Sequence, residues 1–120
     1  MAVLRSSIEL LQPYDAFKTF SFTTSSATAE TVLTVSSFMN EANKITLIVD
    51  KADLYVNFNG PATTDGTSLL IPAGTGYTEE GIQITGPISV IRSDSSMNGR
   101  IIGAIWGRDT SVSRIIPDVY

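Results

Sequence analysis

From Phe17 onward the apolar residues of this chain fall at every second position, and that period decides what it can fold into. Phe20 and Phe22 alternate with Thr19, Ser21 and Thr23. In Thr31–Ser36, Val32 and Thr34 lie opposite Leu33 and Val35. In Lys44–Asp50, Ile45, Leu47 and Val49 share one face against Thr46 and Ile48, and Leu54, Val56 and Phe58 alternate with Tyr55 and Asn57. Successive side chains of a strand point to opposite faces, so this spacing predicts half-buried strands. The second half continues with Ser68–Ile71, Ile82–Thr85, Ile88–Arg92 and the apolar run Arg100–Trp106. Turn signals separate these segments: Pro72-Ala73-Gly74, a turn over Tyr77–Gly81, Gly86-Pro87 and Asn98-Gly99. Pro presets φ there, and Gly or Asn-Gly supplies conformations other residues resist. Gly103 inside the last run predicts a bulge or a close backbone approach.

Eight strands, with no helical period sustained over ten residues, predict an all-β single-domain β-sandwich. The strand count favours a jelly roll over an immunoglobulin-like arrangement. The sandwich is expected over 17–106, and 120 residues suit one such domain. Residues 1–16 read as an N-terminal arm. Ser6 to Glu9 has the spacing of a capping box, and Pro13 ends any helix about one turn later; an irregular lead-in fits as well. Residues 107–120 read as a C-terminal arm, polar to Arg114 and then apolar around Pro117. Val3, Leu4, Leu10 and Leu11, with Ile115, Ile116, Val119 and Tyr120, are the candidate assembly contacts. They are to be covered by the parent domain or by a neighbouring subunit, the C-terminal cluster by adding a strand at a sheet edge.

Chemistry is limited by two missing residue types. The chain has no histidine and no cysteine. Ser-His-Asp triads, thiol nucleophiles, disulfides and the usual zinc and iron ligand sets are therefore excluded. Carboxylates remain. Asp50 and Asp53 flank Lys51 at a turn, and adjacent Glu79 and Glu80 would point to opposite faces of a strand, which does not make a facing acid–base pair. Asp50, Asp53 and Asp65 with loop carbonyls offer hard oxygen ligands for calcium, but no Asp-x-Asp-x-Asp loop is present. Gly74-Thr75-Gly76 lacks the lysine and helix of a phosphate cradle. Tyr14, Tyr55, Tyr77, Trp106 and Tyr120 could form a sugar-stacking platform, though Trp106 in its apolar run reads as core. The chain is thus expected to be no enzyme and to carry no cofactor or metal.

Surface charge is sparse: charged residues are 17% of the chain and the net charge is −4, with the basic residues scattered singly. About 25% is usual. No basic stripe invites nucleic acid, and a surface so poor in charge is weakly protected against association. No run approaches the roughly twenty apolar residues of a membrane span. The N-terminus does not read as a signal peptide, so synthesis in the cytoplasm is expected.

Three segments carry a family likeness: KITLIVDKADLYVNFNGPATTDGTSLLIPAG (44–74), GIQITGPISVIR (81–92) and GRIIGAIWG (99–107). The strand of Leu54, Val56 and Phe58, the Asn59-Gly60-Pro61 turn, the Leu69-Leu70-Ile71-Pro72 strand end and the closing Ile-rich strand resemble small accessory virion proteins of tailed bacteriophages, of the head-decoration or cement type. The resemblance implies a β-sandwich or jelly roll placed by symmetry on a particle. It implies the major capsid protein or other virion proteins as partners, a dimer or trimer of the chain itself, and no cofactor. The function it implies is head stabilisation by bridging neighbouring capsid subunits. A tail, connector or fibre component, or a carbohydrate- or receptor-binding module, is the alternative.

Overall fold

A computed structural model describes residues 14–109. The candidate contacts Val3, Leu4, Leu10, Leu11, Ile115, Ile116, Val119 and Tyr120 lie outside the described residues, as does the Ser6–Glu9 capping box. Eight strands follow in chain order: β1 (Ala16–Thr23), β2 (Glu30–Thr34), β3 (Glu41–Asp50), β4 (Leu54–Phe58), β5 (Leu69–Ile71), β6 (Thr75–Ile84), β7 (Pro87–Arg92) and β8 (Arg100–Arg108). A short 3-10 turn, Val35–Ser37, joins β2 to β3.

The strands form two four-stranded antiparallel sheets, ordered β1-β8-β3-β6 and β2-β7-β4-β5. The first half of the chain pairs with the second in nested order: β1 with β8, β2 with β7, β3 with β6 and β4 with β5. The chain is therefore one long hairpin, with its tip in the loop between β4 and β5, wound so that the strand pairs alternate between sheets. That nesting is the jelly roll and not the immunoglobulin arrangement.

The alternating pattern explains which face goes inward. Ile45, Leu47 and Val49 of β3, Leu54 and Val56 of β4, Ile88 and Val90 of β7, and Ile101 and Ile105 of β8 are buried together between the sheets. β-Branched side chains dominate because they are stiff at χ1 and fill a pleated surface without losing much rotamer freedom. Val35 and Met39 plug the end beside the 3-10 turn, so the strand expected to run to Ser36 stops at Thr34 and turns inward.

Glycine at two inward positions of β8 lets neighbouring backbone come close. A Cβ at Gly103 would run into the Thr46 carbonyl and lie 2.9 Å from both the Leu47 Cα and the Phe20 ring. The register runs unbroken through Gly103 with both β1 and β3, so close approach is the reason for it, not a bulge. A Cβ at Gly107 would meet the Glu41 carbonyl. Asn98-Gly99 is not the left-handed turn its sequence predicts, for neither residue has a positive φ. Gly99 is there for space: a Cβ would lie 2.7 Å from the Ala52 carbonyl and 2.8 Å from Leu54.

β6 is longer than its sequence indicates. Tyr77–Gly81 is strand, not turn, and the two glutamates are tolerated because β6 is an edge with one side open. At the same end as the β4–β5 loop, Asn59 adopts φ 64° and uses its whole amide. Its Oδ1 accepts from Thr85 and Gly86 N–H at 2.8 and 2.9 Å, and its Nδ2 donates to the Gln83 carbonyl at 3.1 Å.

Gly103→Ala should lower unfolding free energy by about 1–3 kcal/mol in denaturant titration, the usual cost of overpacking. Gly60→Ala, whose Cβ would have nothing nearer than 3.9 Å, should stay within ~0.5 kcal/mol.

Candidate functional site

The outward residues of the first sheet form three cross-strand rows: Ser21–Ile102–Ile48–Gly76, Thr19–Ala104–Thr46–Thr78 and Phe17–Trp106–Lys44–Glu80. Across them runs a diagonal apolar band, from Ile48 through Ile102, Ala104 and Trp106 to Phe17. Phe17 and Ile48 are each 57% exposed and Ile102 39%, and no described segment lies over them. The band spans three strands and three rows, about 14 Å along the strands. The second sheet differs, since the β4–β5 loop folds back on its outer side. There the Ala62 N–H donates to Ser89 Oγ at 2.9 Å, and both residues are buried.

Trp106 is a correction: expected in the core, it sits half-buried on the outer face, because its parity in β8 is opposite to Ile101 and Ile105. Its ring is already engaged. Phe17 meets it at a centroid distance of 5.2 Å and 49°, and Lys44 Nζ lies 5.0 Å above it. Beside the same corner Lys18 Nζ stands 4.6 Å over the exposed Phe38 ring. The band was nonetheless written in the sequence. Apolar residues at both parities of Ile101–Trp106 are the signature of a strand covered on two sides, and the described residues cover only one.

The candidate aromatics do not assemble into one platform. Tyr14 donates to Glu80 Oε2 at 3.2 Å across the first sheet, and Tyr77 packs against the core while donating to Glu79 Oε1 at 3.2 Å. Tyr55 faces outward from the second sheet, paired opposite Leu70 and Ile91. Tyr120 lies outside the described residues.

The carboxylates are spent on structure. Arg100 grips Asp50 with both Nε, 3.0 Å from Oδ1, and Nη2 on Oδ2, which holds the Asp50 carboxyl below its ordinary range. Asp53 Oδ1 accepts the Ala73 N–H at 2.8 Å. Asp65 accepts from the hydroxyls of Thr63 and Thr67, at 2.6 and 2.7 Å, and from the Thr67 N–H at 3.0 Å. Those bonds, the Thr63 hydroxyl first, hold its carboxyl at about 2 against an ordinary 3.8. The three calcium candidates are divided, with Asp50 and Asp53 at the β3–β4 turn and Asp65 in the loop beyond β4. Among the described residues no group of three or more acidic side chains could hold a metal. Two shallow hollows lie on the surface, about 290 Å³ beside Phe38 and about 330 Å³ lined by Asp53 and Asp94 together with Lys51; Asp53 accepts the Ala73 N–H and Asp94 the Ser96 N–H.

No family model matches the chain, and no curated protein does. Solved structures overlay on it at low identity. Fe(II) HppE in complex with substrate has a TM-score of 0.48 at 11% identity, over 75% of this chain and 45% of that one. The Cupin_2 domain of an XRE family transcriptional regulator from Enterobacter cloacae has a TM-score of 0.48 at 20% identity, over 79% and 88%. An RmlC-like cupin protein from Desulfovibrio desulfuricans gives 0.44 at 19% identity, over 74% and 72%. The chain spans less than half of the first of these, and no residue role passes from any of them. A metal inside this sandwich does not fit the residues present, because histidine and cysteine are missing and the core side chains that β3, β4, β7 and β8 bury are aliphatic.

The Asp65 contacts give a test with a definite sign. A carboxyl whose pKa falls on folding stabilises the fold fully above its unfolded value and loses that contribution as pH drops through its folded value. Asp65→Asn should therefore be less stable than the parent protein at pH 6, and the gap in melting temperature should close between about 3.8 and about 2. A gap that stays constant to pH 2 would show that the charge contributes nothing.

Proposed function

We propose that the protein acts by binding and assembly, not by catalysis, and that the outer face of the β1-β8-β3-β6 sheet is its docking surface. The observation that carries this reading is β8, a central strand apolar on both faces, one of which no described segment covers. Burying apolar area stabilises by about 25 cal/mol per Å². A band built from Phe17, Ile48, Ile102 and Trp106 therefore has a ready driving force once it meets a complementary surface. The threonines 19, 46 and 78 beside it supply hydroxyls that satisfy a partner's backbone without a charge to desolvate. The setting suits a protein partner.

The sequence resemblance supplies the identity of that partner. We infer an accessory virion protein, synthesised in the host cytoplasm and carried on a phage head, which stabilises the shell by bridging neighbouring copies of the major capsid protein. The Asp109 N–H donates to Asp15 Oδ1 at 2.9 Å, so the two ends of the described residues meet at one corner, beside Phe17 and Trp106. Many weak contacts repeated by symmetry on a particle add up. A tail, connector or fibre position uses the same face.

Thr19, Thr46 and Thr78 beside Trp106 favour a second reading, a carbohydrate-binding module. Against it, Phe17 and Lys44 already pack on the Trp106 ring that a sugar would stack upon.

Ile48→Asp and, separately, Phe17→Asp should leave the unfolding midpoint near the parent value, since both side chains are mostly exposed. Each should abolish cosedimentation with heads assembled without the accessory protein. Undiminished cosedimentation of both variants would remove this face from the account, and glycan-array binding lost on Thr46→Ala would move the carbohydrate reading into its place.

A further inference from the structure

An asparagine followed by glycine loses its side-chain amide readily, because glycine puts no Cβ between its own nitrogen and the neighbouring amide carbon. The chain has two such pairs, Asn59-Gly60 and Asn98-Gly99, and both lie in connections between strands. Water is the only co-reactant. At the second pair the Gly99 backbone nitrogen would attack Cγ of Asn98, give up its proton and expel Nδ2 as ammonia. The succinimide so formed opens with one water to aspartate or isoaspartate. The step makes two demands on Gly99: a nitrogen released from its hydrogen bond, and a peptide plane able to turn toward the side chain.

The fold withholds both. Asn98 is exposed, but Gly99 beside it is buried. The Gly99 N–H donates to Thr24 Oγ1 at 3.0 Å, and its carbonyl accepts the Thr24 N–H at 2.9 Å. Thr24 is itself 1% exposed, so solvent does not compete for either bond. Packing fixes the plane as well, since Gly99 sits against the Ala52 carbonyl and Leu54 with no room for a Cβ. The electrophile, by contrast, is ready. Asn98 Oδ1 accepts from Arg92 Nη1 at 2.7 Å and from Thr24 Oγ1 at 3.4 Å. Donors on that oxygen stabilise the charge that develops as the nitrogen adds. A polarised carbonyl is inert without a free nucleophile.

We propose that Asn98-Gly99 is a latent deamidation site, guarded by Thr24, which reacts when this end of the sandwich opens. Thr24 is a positioning residue and acts through Gly99. Local opening is less costly than global unfolding, so the amide at 98 records how often the start of β8 parts from the end of β1. The two products differ in consequence. Aspartate places a carboxylate on Arg92, whose Nε is buried with no partner among the described residues, and makes that contact charge-assisted. Isoaspartate adds a backbone carbon immediately before the buried Gly99, which the space there does not admit. Neither outcome depends on what the outer face of the first sheet docks against.

Asn59 is an internal comparison. Its side chain is pinned by the backbone of Gln83, Thr85 and Gly86 at the opposite end, with no part played by Thr24.

The test follows amide loss at both sites by peptide mass mapping, with the full chain held at mildly alkaline pH. In the folded parent protein Asn98 should react far more slowly than in the same chain unfolded in guanidinium chloride. Thr24→Val, close in shape but without the hydroxyl, should speed Asn98 about fivefold or more, the shift in opening that loss of one buried hydrogen bond brings, and leave Asn59 as it was. Thr24→Ser keeps the hydroxyl and should restore the slow rate. Ile88→Val weakens the core at the other end and should leave the ratio of the two rates at its parent value. The comparison with the unfolded chain needs no variant, so it decides the matter even where Thr24→Val does not fold. A folded parent whose Asn98 reacts as fast as the unfolded chain overturns the proposal, as does a Thr24→Val protein that speeds both sites equally or neither.

Discussion

β8 is the strand on which the rest of the structure depends. It is hydrogen-bonded along its whole length to β1 on one side and β3 on the other, so its register fixes theirs. Its inward residues must fit beneath the second sheet, and glycine at 103 and 107 is the local solution: the space a Cβ would take goes to the Phe20 ring and to the β3 backbone. Packing at organic-crystal density leaves little room for compromise there. Its outward residues, Ile102, Ala104 and Trp106, are apolar on a face that no described segment covers. One strand thereby sets both the core and the surface through which we read function.

The two ends of the sandwich are held by polar side chains that bond the backbone and one another. Asn59 clips the β6–β7 turn. At the other end Thr24 Oγ1, itself buried, accepts the Gly99 N–H at 3.0 Å, while Arg92 reaches Asn98 Oδ1 at 2.7 Å. Asp53 and Asp65 do comparable work in their turns, and Asp50 pairs with Arg100 across β3 and β8. The charges of this molecule thus order loops, and exposed pairs of that kind add little net stability. On the outer face of the first sheet, Phe17, Ile48 and Ile102 stay exposed among the described residues.

The sequence made all eight strands legible, because a period of two with β-branched residues is hard to satisfy any other way. Faces were legible as well: Ile45, Leu47 and Val49 are buried and Ile48 is exposed, as alternation requires. What failed has local causes. The first half of β6 reads as a turn because Glu79-Glu80-Gly81 is poor strand sequence, and only its edge position, a tertiary fact, makes it acceptable. Trp106 reads as core because an apolar run hides its own parity. Placing it outward needs the register, and the register comes from the neighbours. The apolar band was visible as apolar residues at both parities of β8, but which sheet face the described residues leave uncovered was not, because that depends on where the β4–β5 loop folds. The jelly roll was favoured on strand number, and the nested pairing decides it.

Trp106 is the chain's single tryptophan and lies within the apolar band, so one probe reports on the central claim. Labelling the protein with 5-fluorotryptophan gives one fluorine resonance, to be followed as assembled, undecorated phage heads are added. The account predicts that the resonance shifts and broadens in proportion to bound protein and loses its sensitivity to exchange from H₂O to D₂O. Binding that leaves the Trp106 resonance solvent-sensitive would place the interface elsewhere on the molecule and contradict the account.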